Sequence, residues 1–376
     1  MNRSPIFIDL TNLVANPVRS SIHRVEREII RYWPGAAELV PCLFDSAIES
    51  FVEVPADRLR VIVDDIPGDV DSPPTPVRTK PISTDDLAQG LFNPEVFYDH
   101  ARLEAYKKLC LLPQSGVKWL VYDFVPYLRP QDRPCRTTER LMPYLRVLRE
   151  VPQVSFISDV ARVAYIDRIV RLHDRAGPVI PLGGDGLGTS KNKFDSGKRT
   201  FTFIGEIEPR QNVAAILLAF EKLWDAEVDA SLMIVGKVDP QAPEEAAILE
   251  RLKGRAQFTH VTEATEEALR EILSGSRATI SVGSADGFGV RPYESLCAAV
   301  PVIALKGIPS LDLISPGGRL TIERASPELI ADAVITLLND RVAEKLRDEA
   351  SLLEVPTWNG FVRQLAAWVQ HEGVEK

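Results

Sequence analysis

Residues 284–305 read SADGFGVRPYESLCAAVPVIAL. Just before them, Ala278–Val282 is an apolar run of strand type. A loop with two glycines follows, a helix is predicted over Pro292–Ala299, and Val302–Leu305 forms the next strand. Proline is favoured at a first helical position. Strand, loop, helix and strand in this order make one unit of a parallel sheet with helices on its faces. In such sheets ligands lie beyond the carboxyl ends of the strands. Gly287 and Gly289 allow close approach of the backbone, and free N–H groups at the helix start favour an anion such as phosphate. Asp286 and Glu294, eight positions apart, supply acceptors for sugar hydroxyls. The segment therefore suits a ligand carrying both phosphate and hydroxyls, as a nucleotide-sugar does. As a bare pattern it equally fits a turn shaped by glycines, with Glu294 complementing the helix dipole.

The same alternation runs outward in both directions. Downstream, helices are predicted near 326–338 and 341–353, and Trp358, Phe361, Leu365 and Trp368 close the chain on one apolar helical face. Upstream, Thr200–Ile204 and Ser231–Val235 read as strands and Glu266–Leu273 as a helix; Val213, Ile216, Leu217, Phe220, Leu223 and Trp224 form a helical stripe. The breaker-rich segment PLGGDGLGTSKNKFDSGK at 181–198 reads as a linker between two βα-rich halves. In the first half, Ile6–Leu10, Arg60–Val63, Val117–Tyr122 and Val154–Ile157 are strand candidates. Residues 22–33 form an amphipathic helix, and Asp159–Arg171 a helix capped by Ser158. Residues 65–86 (DIPGDVDSPPTPVRTKPISTDD) read as a long proline-rich loop of disordered type, in which Asp69 and Asp71 form a solvated acid pair.

Composition narrows the class. A chain of 376 residues has room for roughly two to three domains. With 45% hydrophobic and 26% charged residues it is neither disordered, collagen-like nor a coiled coil. A formal charge of -9 argues against a general nucleic-acid binder. The four cysteines are scattered, with no C-x-x-C pair, and fit a reducing compartment. The five histidines are scattered too, and no metal cluster is evident. The N-terminus lacks a signal-peptide core and no run of about 18 apolar residues occurs, so a cytoplasmic protein without a spanning helix is expected.

DGFGVRPYESLCAAVPVI resembles the E-x7-E region, EGFGLPxxEAxxxGxPVI, of family-4 glycosyltransferases, retaining enzymes of the GT-B fold. The resemblance implies that Glu294 contacts the nucleotide ribose and that Asp286, one methylene shorter than the usual Glu, contacts the donor sugar. Gly287, Phe288 and Gly289 match directly, and Ala299 replaces the usual glycine. FTFIGEIEPRQNVAAILLAF (201–220) is similar to the family's first donor-domain unit, GxIEPRKNxxxLLxAF, through Gly205, Glu208, Pro209, Arg210 and Asn212. The family's phosphate-holding lysine is Gln211 here, and Glu206 stands where Arg or Thr is usual. A diphosphate leaving group needs positive charge, which the resemblance leaves to Arg210, Lys237 or Arg291. Lys237 follows the IVG of SLMIVGKVD, similar to the family's IVGK segment. Val261 and Thr262 match the turn that packs on the base.

In the first half SSIHRVEREI resembles the TGIxRVxRxxL signature of bacterial mannosyl- or rhamnosyl-type enzymes of surface polysaccharide synthesis, with Ser21 for the glycine and Arg24 as the signature arginine. By periodicity alone Arg24 lies on the helix's polar face beside His23, Arg27 and Arg31. VYDFVPYLRP is similar to an HD-x-x-P or YD-x-x-P element whose Tyr122 and Asp123 face the cleft. SDVARVAYIDRIV resembles the family's S-x-x-S/A-R-x-D segment.

The resemblance thus implies an α/β protein of GT-B type with two Rossmann-like doubly wound domains: an acceptor-binding domain over 1–182, a nucleotide-sugar domain over 183–355, and a C-terminal helix over 356–376 crossing back to the first. The candidate catalytic residues are Asp286, Arg210 and Asp123. Donor contacts fall to Gly205, Arg210, Lys237, Val261, Thr262, Asp286, Gly287, Phe288, Gly289 and Glu294, and acceptor contacts to Ser21, Arg24, Tyr122 and Asp123. The expected partners are a nucleotide-sugar and a glycan or lipid-linked acceptor, without nucleic acid, metal or other cofactor, and with peripheral contact at the inner membrane face. Two other classes stand beside this one. The first is a GT-B protein without turnover that acts as a scaffold, in keeping with Glu206, Gln211, Asp286 and Ala299. The second is a different doubly wound enzyme such as an oxidoreductase, for which no early G-x-G-x-x-G is present.

Overall fold

The structure, a computed structural model, describes residues 4–16, 21–35, 37–55, 58–59, 80–130, 137–171, 176–188, 190–284 and 287–371. They divide into two compact units, Met1–Leu182 with Trp358–Lys376, and Gly183–Thr357.

The first unit holds strands β1 (Ile6–Asp9), β2 (Leu39–Asp45), β3 (Ser50–Glu53), β4 (Leu91–Asn93), β5 (Lys118–Val121), β6 (Gln153–Phe156) and β7 (Ala176–Val179). Their order is β3-β2-β1-β4-β5-β6-β7, parallel except for the β2–β3 hairpin at one edge. Helices α1 (Thr11–Ala15), α2 (Ser21–Tyr32), α3 (Thr84–Gly90), α4 (His100–Cys110), α5 (Val125–Leu128), α6 (Thr137–Leu148) and α7 (Asp159–Ala164) accompany it. A β strand covered on both faces needs apolar residues on both, and β1, β4 and β5 are buried throughout. Phe97, Tyr106, Trp119 and Tyr144 pack into one aromatic cluster under the sheet.

The second unit holds β8 (Thr200–Ile204), β9 (Ser231–Val235), β10 (Phe258–Val261), β11 (Ser276–Ser281), β12 (Val302–Leu305) and β13 (Arg319–Ile322). Their order is β10-β9-β8-β11-β12-β13 and every pairing is parallel. Its helices are α8 (Val213–Asp225), α9 (Pro243–Leu252), α10 (Glu266–Gly275), α11 (Val290–Cys297), α12 (Pro327–Leu338) and α13 (Asp340–Leu352). The stripe from Val213 to Trp224 is the buried face of α8. The last helix, α14 (Trp358–Gln370), belongs to the first unit. There it packs on α2. Buried Lys118 donates from Nζ to the carbonyls of Trp368 (3.3 Å), Val369 (2.6 Å) and His371 (2.7 Å). A cation at the carbonyl end of a helix satisfies groups that have no intrahelical partner.

Several expectations are corrected. Helix α11 begins at Val290 after an N-cap at Gly289, so Pro292 sits at the third helical position. Its missing N–H costs nothing there, because the first four helical N–H groups lack intrahelical partners. The segment from 181, read as a linker, contains the division between the units after Leu182 and then packs into the second: Leu187 is buried with Val235, Leu269 and Val300, and Asn192 bonds the Ala298 carbonyl through both its backbone and its side chain. The tail of the proline-rich loop is the cap and first turn of α3, with Ser83 Oγ accepting from Asp86 N–H at 3.1 Å. Asp69, Asp71 and the strand expected at Arg60–Val63 lie outside the described residues. Ser158 caps α7, but the helix widens to π geometry over Tyr165–Val170. The polar face of α2 is largely enclosed: His23, Glu26, Arg27 and Glu28 are all buried.

Candidate functional site

In the second sheet the chain winds outward in both directions from β8 and β11, so the switch point of the topology lies between them. The loops beyond these strands are bound together. Ser284 donates to the Arg210 carbonyl from N (2.8 Å) and from Oγ (3.1 Å), and Asn212 Nδ2 donates to Val282 O at 2.7 Å. Arg210 forms an ion pair with Glu208, an acid two residues earlier in the same motif that is itself mostly buried.

The β9 loop is joined to the β8 loop just as closely. Gly205 N–H donates to Val235 O (2.9 Å) and Ile207 N–H to Lys237 O (2.8 Å). Gly236 has φ +151°, and a Cβ there would stand 1.8 Å from Gly205 O, so no other residue fits. Gly236 N–H in turn donates to Val261 O (2.8 Å) at the end of β10. Lys237 is exposed and pairs with Glu263, one residue past Thr262; Val261 is half-buried and Thr262 exposed.

Beyond β11, Gly289 takes φ +87° as the N-cap of α11. Ser310 clasps this turn, donating from N to Phe288 O (2.8 Å) and from Oγ to Gly289 O (2.7 Å). Phe288 is buried edge-on against Tyr293, with ring centroids 5.2 Å apart. Glu294 is buried in the second turn of α11 and pairs with Arg291 at 2.7 Å. Nearby, burial pushes the Cys297 thiol up to about 12, and the charges of Asp185 and Glu294 push it the same way. Asp286 lies outside the described residues. Gly205, Arg210, Lys237, Val261, Thr262, Gly287, Phe288, Gly289 and Glu294 thus fall at or beyond the carboxyl ends of four neighbouring strands of one sheet.

The four acceptor candidates lie in the first unit. Ser21 opens α2 and is exposed. Arg24 is half-buried, its guanidinium 5.8 Å from the Trp358 ring centroid of α14. Asp123 Oδ1 accepts from Val125 N–H at 2.9 Å at the start of α5. Tyr122 is buried rather than open; burial raises its pKa well above the ordinary value, with the charge of Glu26 adding to it.

Sequence reasoning missed a second polar centre, at the β1/β4 switch point of the first sheet. Arg102 donates to Asp9 from Nε (2.9 Å) and pairs with both Asp9 and Glu95. Tyr106 OH donates to Asp9 at 2.7 Å. Glu95 also accepts from the N–H groups of Asn12 (2.8 Å) and Leu13 (3.1 Å) at the start of α1. Burial pushes Glu95 up to about 7 against the pull of Arg102. Glu26 of α2 is fully buried, and its carboxyl has no hydrogen-bond partner among the described residues. Burial, then the charge of Glu95, holds its pKa well above the usual range. The available signal was an acid at the end of the first apolar strand, Asp9, and another two residues past the fourth, Glu95. Glu208 and Glu263 stand within two residues of Arg210 and Thr262 in the sequence, whereas only the fold brings Ser310 to the site.

Comparison with known proteins bears on the second unit and on the fold. Residues 189–351 match the family model "Glycosyl transferases group 1". The matched stretch takes in most of the second unit and less than half of the chain. The serotype-specific mannosyltransferase WbdA of Escherichia coli is 32% identical over 139 residues, 36% of this chain and 17% of WbdA. The chain therefore spans about a sixth of the curated relatives it matches. Among solved structures, Anabaena HepE, determined with UDP and glucose, aligns at TM-score 0.66 and 11% identity over 98% of this chain and 99% of its own. Sucrose-phosphate synthase of Thermosynechococcus elongatus aligns at 0.64 and 12% identity over 97% and 98%. The fold is GT-B. Among the described residues no helix is long and apolar enough to cross a membrane.

Proposed function

We propose that the chain is a retaining glycosyltransferase that moves a sugar of mannose or rhamnose type from a nucleotide-sugar to a glycan or lipid-linked oligosaccharide, in bacterial surface polysaccharide or O-antigen synthesis. One observation carries this reading. The group 1 match falls on the unit whose switch-point loops are joined where Ser284, five residues before the N-cap of Glu294's helix at Gly289, bonds the Arg210 carbonyl. The mannosyltransferase relatives support the sugar class, and HepE with UDP and glucose supports a nucleotide-sugar donor.

In this reading the second unit takes the donor. Glu294, buried and oriented by Arg291, accepts from the ribose hydroxyls. The turn at Gly287–Gly289 meets the diphosphate with its amides. Arg210, held at its place by Glu208 and Ser284, stabilises the charge that grows on the departing diphosphate. Asp286 contacts the sugar, Val261 and Thr262 pack on the base, and Lys237 completes the donor site. The first unit takes the acceptor through Ser21, Arg24, Tyr122 and Asp123. Retention follows from front-face attack, in which the departing phosphate helps to deprotonate the acceptor. Such a reaction depends on positioning and leaving-group stabilisation more than on a side-chain base. No metal or other cofactor takes part, and the protein meets its acceptor at the inner membrane face.

The test is a screen of GDP-, UDP- and dTDP-sugars for thermal stabilisation and sugar transfer by the whole chain, with and without EDTA. At least one donor should stabilise the wild type and lose its sugar in either buffer. Glu294→Ala should bind the same nucleoside diphosphate at least about tenfold more weakly, the scale of a buried charged hydrogen bond. Unchanged affinity would refute the ribose role.

A further inference from the structure

The ion pair of Lys237 and Glu263 stands on a rigid frame. It spans the carboxyl ends of β9 and β10, neighbouring strands whose register runs from Phe258↔Leu232 to Val261↔Val235. Gly236 N–H is bound to Val261 O, and Lys237 O accepts from Ile207 N–H. His260 Nε2 lies 2.9 Å from Gly236 O and closes the same corner. Both side chains are exposed, so the pair adds little to folding. Its charges are fixed nonetheless. Each partner holds the other ionised, and Glu206 adds to the hold on Lys237.

Glu263 comes directly after Val261 and Thr262, which the proposed function assigns to the base; a role for Glu263 in base recognition rests on that reading. An ionised carboxylate offers two acceptors and no donor, and an ammonium offers donors only. The matching base edge must present two adjacent N–H groups with a carbonyl beside them. Guanine has that edge, with N1–H next to the N2 amine on one side and O6 on the other. Uracil and thymine flank a single N–H with two carbonyls, one of which would face the carboxylate. Adenine and cytosine put a ring nitrogen where the carboxylate needs a donor.

We propose that the Glu263–Lys237 pair reads the base of the donor and selects guanine, with Glu263 accepting from N1–H and the N2 amine and Lys237 donating to O6. The pair keeps its order in the complex: the ammonium moves from the carboxylate to the adjacent carbonyl while the carboxylate takes the two N–H groups. Exchange is easy because an exposed pair holds only weakly.

Calorimetric titration of the full chain with GDP, IDP, UDP, ADP and XDP tests this. The wild type should bind GDP at least about tenfold more tightly than UDP or ADP, the scale of one bidentate base contact. IDP, which lacks the N2 amine, should fall between. Glu263→Gln, at an exposed position that leaves folding intact, should lose about tenfold for GDP. It should gain XDP, whose C2 carbonyl accepts from the new amide, while UDP is unchanged. Wild-type binding of UDP or ADP as tight as GDP, or undiminished GDP binding by Glu263→Gln, would overturn the base assignment and leave the donor site standing. If no nucleoside diphosphate binds the wild type, the donor reading falls and this inference with it.

Discussion

The carboxyl ends of the two sheets carry similar chemistry in opposite states. At the first, Asp9, Glu95, Arg102 and Tyr106 are sealed in the interior and bonded to one another. At the second, Lys237 and Glu263 are open and Arg210 and Arg291 keep part of their surface in water. A buried pair is costly to break because the survivor stays charged in a poor solvent, whereas an exposed pair is worth little. The same place in the topology is therefore a sealed joint in one unit and an open, charged end, to which the proposed function gives the donor, in the other. In the first unit the joint ties β1, α1, β4 and α4 together through side chains from Asp9 to Arg102. In the second, backbone hydrogen bonds between loops do most of the fixing, helped by the side chains of Asn212, Ser284 and Ser310, and leave Lys237 and Glu263 open to water.

Two arginines test this contrast most sharply. Arg102→Ala leaves Asp9 and Glu95 buried without their shared cation and removes the guanidinium from the Phe97 ring, whose centroid lies 3.7 Å away. Denaturant unfolding should show a loss of about 3–5 kcal/mol. Arg210→Ala leaves the mostly buried Glu208 without its cation and should cost less, about 1–3 kcal/mol in the same measurement. Its kcat should instead fall on the order of a hundredfold, more than donor affinity falls. Equal stability losses would mean that both sheet ends are structural.

The next test concerns the proton at the sealed end. Glu26 faces Glu95 and Asp9 on one side of its charge balance and Arg102 and Arg27 on the other. Its folded pKa lies above the unfolded value of about 4.3. The folded state therefore keeps a proton that the unfolded chain releases, and stability declines as pH rises from the carboxylate range towards the raised value. Glu26→Gln keeps the shape and removes the titration. At pH 8 it should be more stable than wild type by on the order of 1 kcal/mol, with the gap closing as pH falls towards 4. A gap independent of pH would show that Glu26 does not carry the proton.

The second unit was the more legible in the sequence, for a physical reason. Its strands are short apolar runs and its helices show clear stripes, as from Val213 to Trp224, so local pattern and tertiary burial agree. The loops proposed for the donor were also visible, because the glycines and acids that mark them lie within single motifs. Helix α2 misleads because periodicity sends charged positions to water, while here the rest of the unit encloses Glu26, Arg27 and Glu28. The Asp9–Arg102 network could not be read from the sequence, since its members are 93 positions apart and each looks ordinary alone. The same holds for Lys118, which caps a helix that ends about 250 residues later. The start of α11 is misplaced when proline is taken for the first helical residue, because the left-handed Gly289 sets the boundary.

The smallest expected effect lies at the far end of that same helix. The end of α11 closes as a Schellman motif: Val300 N–H donates to Ser295 O (2.9 Å) and Ala299 N–H to Leu296 O (2.9 Å). This places Ala299 in the left-handed region at φ +54°, where a Cβ crowds the following carbonyl. Glycine, the residue the resembled motif has here, would relieve a strain of about 1–2 kcal/mol. Its greater freedom in the unfolded chain returns roughly 0.5–1 kcal/mol of that. Ala299→Gly should thus raise stability by about 0.5–1 kcal/mol in denaturant unfolding. It should leave donor affinity unchanged, because Ala299 is fully buried and lies at the end of α11 away from Gly289. A changed nucleoside diphosphate affinity would mean that the motif sets the pitch of α11, and with it Glu294; the open edge would then depend on buried packing as the sealed one does.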